Sequence, residues 1–193
     1  NQDVLGMGAA TGSRTCIATV LSNSITYNNL DVIETGYGIS LRPLALFADE
    51  TYRNCNIECF MPRLLDAEEL SSRNDINRIG RMHKAIAVIQ FKLEGQTIRR
   101  NPSFHMDDRL LLDKIDFEKG TVKLPSGEYP LRDCDFPTID PEDPYRLSPE
   151  EHELMAQLKN AFLRSEKLQR HIGFLYSKGG LYKCFNGNLL YHG

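Results

Sequence analysis

No stretch of this sequence approaches the ~20 consecutive apolar residues that a bilayer-crossing helix needs. The first residues carry neither the basic start nor the apolar core of a secretory signal. No membrane partner is therefore expected. Basic charge is not in excess either, since the formal net charge is −3 at pH 7. Without a basic field to gather phosphates, nucleic acid is not an expected partner. Cysteine is sparse: Cys16, Cys55, Cys59, Cys134 and Cys184 are odd in number and scattered. That argues against a disulfide framework and for a reducing, cytoplasmic setting. Cys55-x3-Cys59 lacks a second Cys or His pair at a zinc-site distance and reads as two ordinary thiols. The sequence holds no H-E-x-x-H pair, no Walker loop and no G-x-S-x-G elbow. Gly36-x-Gly38 lacks the third glycine and the preceding strand of a dinucleotide fingerprint.

What is present suits a globular chain. Hydrophobic residues make up 41% and charged residues 25% of 193 positions, enough for one domain with a core. The chain opens at Asn1 and stops at Tyr191-His192-Gly193 within a strand pattern, so it reads as an interior piece of a longer protein.

Gly8, Gly12 and Ser13 introduce a helical stretch with Cys16, Ile17, Val20, Leu21 and Ile25 at helical spacing. A second runs from about Leu41 to Tyr52, with Leu44, Leu46, Phe47 and Ala48 on its expected buried side. The third is the longest. Asp66 and Glu69 suit its cap, and Ile76, Ile79, Met82, Ile86, Ile89 and Leu93 line one face. Arg78, Arg81, Lys84 and Lys92 fall mostly on other faces and predict a solvated outer surface. Thr121–Leu124 and Glu128–Leu131 flank Pro125-Ser-Gly127 as a β-hairpin, with Pro130 confining the second strand to an edge. Asp133 to Pro149, with four prolines and five acidic residues, predicts a surface loop. Ser148, Pro149 and Glu151 then form a capping box for a helix whose stripe is Leu154, Leu158, Phe162, Leu168 and Ile172. Asn186-Gly187 between two apolar runs marks a second hairpin, which delivers His192 at its far end.

The residues suited to chemistry are few. His83, His105, His152, His171 and His192 are spread out without ligand spacing, and packing or surface roles are expected for His83, His152 and His171. Two features stand apart: Asn1-Gln2-Asp3 running directly into a small-residue helix start, and a strand that delivers His192 followed by Gly193. A neutral imidazole held at a strand end suits Zn²⁺, Mn²⁺ or Fe²⁺.

Asn1-Gln-Asp-Val-Leu-Gly-Met-Gly-Ala-Ala10 resembles the G-N-H-D-V-L-W-M-G-A-A segment of class 3 fructose-1,6-bisphosphatases. Tyr27-Asn-Asn-Leu-Asp-Val-Ile-Glu34, Tyr37-Gly-Ile39, Leu41-Arg-Pro-Leu44 and the run from Ile79 to Gly95 are similar to the same family. So is the closing segment His171 to His192, with Phe174-Leu-Tyr-Ser-Lys-Gly179 and Tyr182-x-Cys184-x-Asn186-Gly-Asn-Leu-Leu-Tyr-His192. The resemblance implies an α/β metallophosphoesterase fold, a four-layer αββα sandwich. This segment would be its mainly helical central part with two β-hairpins, including a helical and hairpin insertion at about 60–147. It also implies hydrolysis of fructose 1,6-bisphosphate to fructose 6-phosphate, a gluconeogenic step, at a two-metal centre that typically uses Mn²⁺. By motif, Asn1 matches the asparagine that binds one metal and the phosphate, His192 matches the histidine ligand of a later His-Gly motif, and Asp3 matches the acidic support of the Asn-His turn. Two metals ~3.5–4 Å apart activate a water and clamp the phosphate, and a general acid protonates the leaving alkoxide.

Three positions depart from the family pattern. Gln2 stands where the catalytic histidine belongs, Gly6 where the family has tryptophan and Gly173 where arginine is expected. A glutamine amide donates no proton to a leaving group, and Gly6 predicts a hole beside the site. Lys178, Tyr182 and Arg99 are further candidates for phosphate or sugar contacts. The partner so implied is a sugar bisphosphate, with a homo-oligomer left open. The substitution at Gln2 favours one alternative, a relative that keeps the fold and acts as a binding or regulatory subunit. A helical interaction module without a metal site is another.

Overall fold

Gly12 ends the first helix in a left-handed conformation, φ +66°, which glycine adopts without steric cost. Its neighbour Ser13 caps the second helix, its Oγ accepting from the Cys16 amide at 3.3 Å. Two helices thus stand where one stretch was foreseen: α1 (Gln2–Thr11) and α2 (Arg14–Thr26). The computed structural model describes residues 2–62, 73–180 and 182–191, except the side chains of residues 2, 73 and 74. On α2 the predicted stripe holds, with Ile17, Val20, Leu21 and Ile25 buried.

A single turn of π-helix, Val32–Gly36, leads to α3 (Arg42–Thr51), with Pro43 in its first turn. Leu44, Ala45, Phe47 and Ala48 of α3 are buried, but Leu46 is 46% exposed. Two residues on a helix turn the side chain by ~200°, so Leu46 points away from the face that Leu44 and Ala48 share.

The long helix α4 (Arg73–Arg100) buries Met82, Ile86, Ile89 and Leu93 against α2 and α3, with Ile79 packed beside them. The expected cap at Asp66 and Glu69 lies outside the described residues. The expected solvated face of α4 is a correction. Lys84 and Lys92 are fully buried, because residues 101–147 fold back over that side of the helix. This covering layer consists of three short 3₁₀ turns, a small sheet and a strap. Its sheet is antiparallel in the order β1 (Ile115–Asp116), β2 (Thr121–Leu124), β3 (Gly127–Pro130). The hairpin is as predicted to within a residue, and Pro130 lies on the edge strand. The two-residue strand β1 was not foreseen. The strap from Asp133 to Ser148 is not the plain surface loop expected, since Tyr145 and Leu147 are each only 3% exposed. The Tyr145 ring occupies the space that a Cβ at Gly95 would fill.

The capping box forms as predicted at α5 (Pro149–Arg164): the Glu151 amide donates to Ser148 Oγ at 3.2 Å, and the Ser148 amide donates to Glu151 Oε2 at 2.8 Å. The single helix expected here is two. Ser165 ends α5 and caps α6 (Glu166–Lys178), accepting from the Leu168 amide while its hydroxyl donates to the Tyr37 carbonyl at 2.6 Å. All five stripe residues, Leu154 to Ile172, remain buried across the break. The last hairpin pairs β4 (Tyr182–Phe185) with β5 (Asn188–Tyr191). Asn186 and Gly187 take the positive φ values, 48° and 73°, that its two-residue turn requires.

Helices α1 to α6 enclose one apolar core. With the two small antiparallel sheets, this mixed architecture is compatible with the α/β class. Among the described residues no helix is long and apolar enough to cross a membrane.

Candidate functional site

Antiparallel packing of α1 on α6 defines one end of the molecule. The Gln169 side-chain amide donates to the Ala9 carbonyl at 3.0 Å. Three residues earlier on α1, a Cβ at Gly6 would meet Ile172 Cδ1 at 3.8 Å, three residues later on α6. One helix ascends as the other descends, so the start of α1 and the end of α6 lie at the same end. Gln2 and Asp3 open α1 there, and Lys178 closes α6 there. Tyr182 follows as the first residue of β4. Asp3, exposed in the first turn of α1, suits the positive end of that helix dipole. Asn1 and His192 lie outside the described residues, as does the side chain of Gln2. At Gly6, where a hole is expected, a Cβ would be in ordinary contact with Ile172, whereas nothing lies within 4 Å of a Cβ at Gly173.

Around this end the surface is apolar and aromatic. Phe174, Tyr176, Tyr182, Phe185 and Tyr191 are 61–72% exposed. In the hairpin register Tyr182 faces Tyr191 and Cys184 faces Leu189, so one side of the ribbon carries no charge.

Arg99 is not brought into this group. Its guanidinium stacks over the Tyr145 ring at 4.2 Å and pairs with Asp113 at 3.4 Å and Asp143 at 3.8 Å. The Tyr145 hydroxyl accepts from the Leu112 amide at 3.0 Å and donates to Asp113. Arg99 therefore fastens the covering layer to the end of α4.

His83 packs inside and His152 and His171 lie at the surface, within the packing or surface roles expected for them, and His105 is exposed. His83 Nδ1 lies 2.8 Å from the Phe60 carbonyl and Nε2 3.2 Å from Thr26 Oγ1, and burial lowers its pKa below 6.5 against the pull of that carbonyl. Arg14 contacts His152 Nδ1 at 3.3 Å, and the Tyr37 hydroxyl approaches His171 Nδ1 at 3.4 Å. All five cysteines are free. Burial, reinforced by Asp135, pushes the Cys55 thiol up to about 11, so it is not a thiolate at neutral pH.

Sequence reasoning missed two buried charge clusters. Lys84 Nζ donates to Asp133 Oδ2 at 2.7 Å and to the Asn56 carbonyl at 2.8 Å, with the Phe60 and Phe136 rings within 5.7 Å and 5.2 Å. Lys92 Nζ donates to Glu151 Oε2 at 2.7 Å and to the Thr138 carbonyl at 2.6 Å. Thr138 Oγ1 also meets the Tyr52 hydroxyl at 3.1 Å, and burial raises the pKa of that phenol well above its usual value. Burial draws the Lys92 pKa down while Glu151 pulls it back. Both clusters join α4 to the strap, and that of Lys92 also reaches the start of α5, where Glu151 Oε1 alone has no hydrogen-bond partner. Among the described residues, no group of three or more His, Cys, Asp or Glu side chains is arranged to hold a metal ion.

The family model of Firmicute fructose-1,6-bisphosphatase matches residues 1–193. The class 3 fructose-1,6-bisphosphatase of Clostridium novyi (strain NT) is 54% identical over 193 residues, which is 100% of this chain and 29% of that protein. Those of Alkaliphilus metalliredigens (strain QYMF) and Listeria innocua serovar 6a are each 53% identical over the same shares. The chain thus spans 29% of the length of these relatives. No solved structure matches it. Matched from its first residue to its last, the chain belongs to the Firmicute fructose-1,6-bisphosphatase family.

Proposed function

We propose that the full-length protein carrying this segment hydrolyses fructose 1,6-bisphosphate to fructose 6-phosphate and phosphate, a gluconeogenic step in the cytoplasm. The observation that carries this reading is the 53–54% identity, along all 193 residues, to proteins named class 3 fructose-1,6-bisphosphatase. We read the segment as the centre of a metallophosphoesterase sandwich with an insertion at about 60–147. The β4–β5 hairpin, exposed along its whole length, is then a strand pair of a larger sheet.

Among the described residues no group of three or more His, Cys, Asp or Glu side chains suits a metal ion, so in this reading a two-metal centre would take at least part of its ligand set from elsewhere. Asn1 and His192 each supply one ligand in this reading, and the others come from parts of the full-length protein beyond this chain. Bound Mn²⁺ would supply an activated water and a clamp on the phosphate oxygens. Supporting the assignment, α1 and α6 bring Gln2, Asp3 and Lys178 to a common end. Asp3 supports the Asn1-Gln2 turn, and Lys178 and Tyr182 contact the sugar or its second phosphate. Arg99 is left out, since Asp113, Asp143 and Tyr145 already hold its guanidinium. Gln2 offers the departing alkoxide no proton, so protonation falls to solvent.

Phosphate release from fructose 1,6-bisphosphate by the purified full-length protein tests the reading. Activity is expected with Mn²⁺, with loss in chelator and recovery on readdition. A folded protein that releases no phosphate with Mn²⁺ contradicts it.

A further inference from the structure

The covering layer does not close fully onto α4. Between that helix and the β1–β2–β3 sheet lies a cavity of about 260 Å³. Ala87, Val88 and Phe91 of α4 line it from the helix and Val122 and Leu124 of β2 from the sheet, with Phe60 and Phe136 also in its wall. The short side chains of Ala87 and Val88 leave the space between helix and sheet unfilled. Among the described residues Asp133 is the one charged side chain at the wall, and it is already engaged: Oδ2 accepts from Lys84 at 2.7 Å and Oδ1 from the Asp135 amide at 3.0 Å. Among those residues a ligand in this space therefore meets carbon and finds no free polar anchor. A charged or strongly polar molecule would lose its hydration without replacement. Apolar cavities of about 150 Å³ stay dry and take up benzene or xenon, so this larger one has room for a fused ring pair or a short branched chain.

We propose that the cavity between α4 and the small sheet is a binding site for a small, neutral, apolar molecule. Its described lining lies between Phe60 and Ile139 and includes no residue of α1 or α6, and it is independent of the catalytic reading. Occupancy fastens the covering layer to α4 and stabilises the protein by mass action.

Indole, neutral and bicyclic, is the probe, titrated calorimetrically into the full-length protein. Saturable binding is expected with a Kd of about 1 mM or tighter, together with a rise in melting temperature. Val88→Phe and Val122→Phe fill the cavity from opposite walls, and each should weaken binding at least ~10-fold, a change of about 1.4 kcal/mol. Indole-3-acetate, its charged counterpart, should bind at least ~10-fold more weakly than indole. Methyl NMR shifts of Ile115, Val122 and Leu124 in the unsubstituted protein provide a readout that needs no variant to fold. Absence of saturable binding, equal affinity for the charged analogue, or methyl shifts only at other positions would overturn the proposal.

Discussion

Replacing Lys92 by methionine removes an ammonium group that is fully buried, 2.7 Å from Glu151 Oε2. Methionine keeps the apolar stem in place, so the variant isolates the charge. Glu151 is then stranded: its side chain is also fully buried, Oε1 has no hydrogen-bond partner, and Oε2 keeps only the Ser148 amide. Breaking a buried pair by removing one partner costs about 3–5 kcal/mol. At ~1.4 kcal/mol per tenfold, that is an opening equilibrium more favourable by about 10²-fold to about 4 × 10³-fold. Native-state hydrogen exchange of the full-length protein reads this locally, at the first-turn amides of α5 and along the strap near Thr138. Those amides should exchange faster by up to that factor, while amides in α1 should not. Adding Glu151→Gln neutralises the stranded carboxylate and should recover part of the loss, giving a favourable coupling in the double-mutant cycle. Exchange in Lys92→Met within about threefold of the parent would mean that the pair does not hold α5 to α4, and the reasoning fails.

Gly95→Ala forces a methyl group into the Tyr145 ring and should cost roughly 1–3 kcal/mol of overpacking despite alanine's better helix propensity; a raised melting temperature would show that the ring is not there. The folded-state pKa of His83 is lowered below 6.5, so as pH falls through that value the unfolded chain takes up a proton that the folded one declines. Stability should therefore fall with pH in this window, and His83→Gln should flatten part of the slope between pH 7.5 and pH 5.5 in urea titrations, equal slopes speaking against the burial of the ring. Restoring a proton donor with Gln2→His should raise the rate on the sugar bisphosphate by about 10²–10⁴-fold and leave p-nitrophenyl phosphate, whose leaving group needs no proton, far less changed. Equal gains on both substrates would remove the general-acid role from this position.

Local signals in the sequence were read well where one physical requirement decides the outcome. The capping box at Ser148 and Glu151 is complete within four residues, and the Asn186-Gly187 turn demands two positive φ values that few other pairs supply. The family, too, was legible from motifs spread along the chain. What was not legible depends on distant partners. Lys84 and Lys92 looked like a solvated face because lysine is rarely buried unpaired, yet their carboxylates arrive 49 and 59 residues later. The break at Ser165 was not read, since the apolar stripe continues through it and the hydroxyl that caps α6 also bonds Tyr37, 128 residues earlier. At the candidate site, the motif residues were readable one by one. The antiparallel contact of α1 with α6, which gathers Gln2, Asp3 and Lys178 at one end, was not, because it rests on Gln169 reaching Ala9.

Asn1 and His192, at opposite ends of this segment, are proposed to serve one metal centre in the full-length protein. Metal analysis of full-length His192→Ala, run beside its rate on fructose 1,6-bisphosphate, tests this most directly. Bound Mn²⁺ and rate should fall together while helical content, followed by circular dichroism, is retained. Unchanged metal content in a folded variant would contradict the assignment of His192 and, with it, the proposed site.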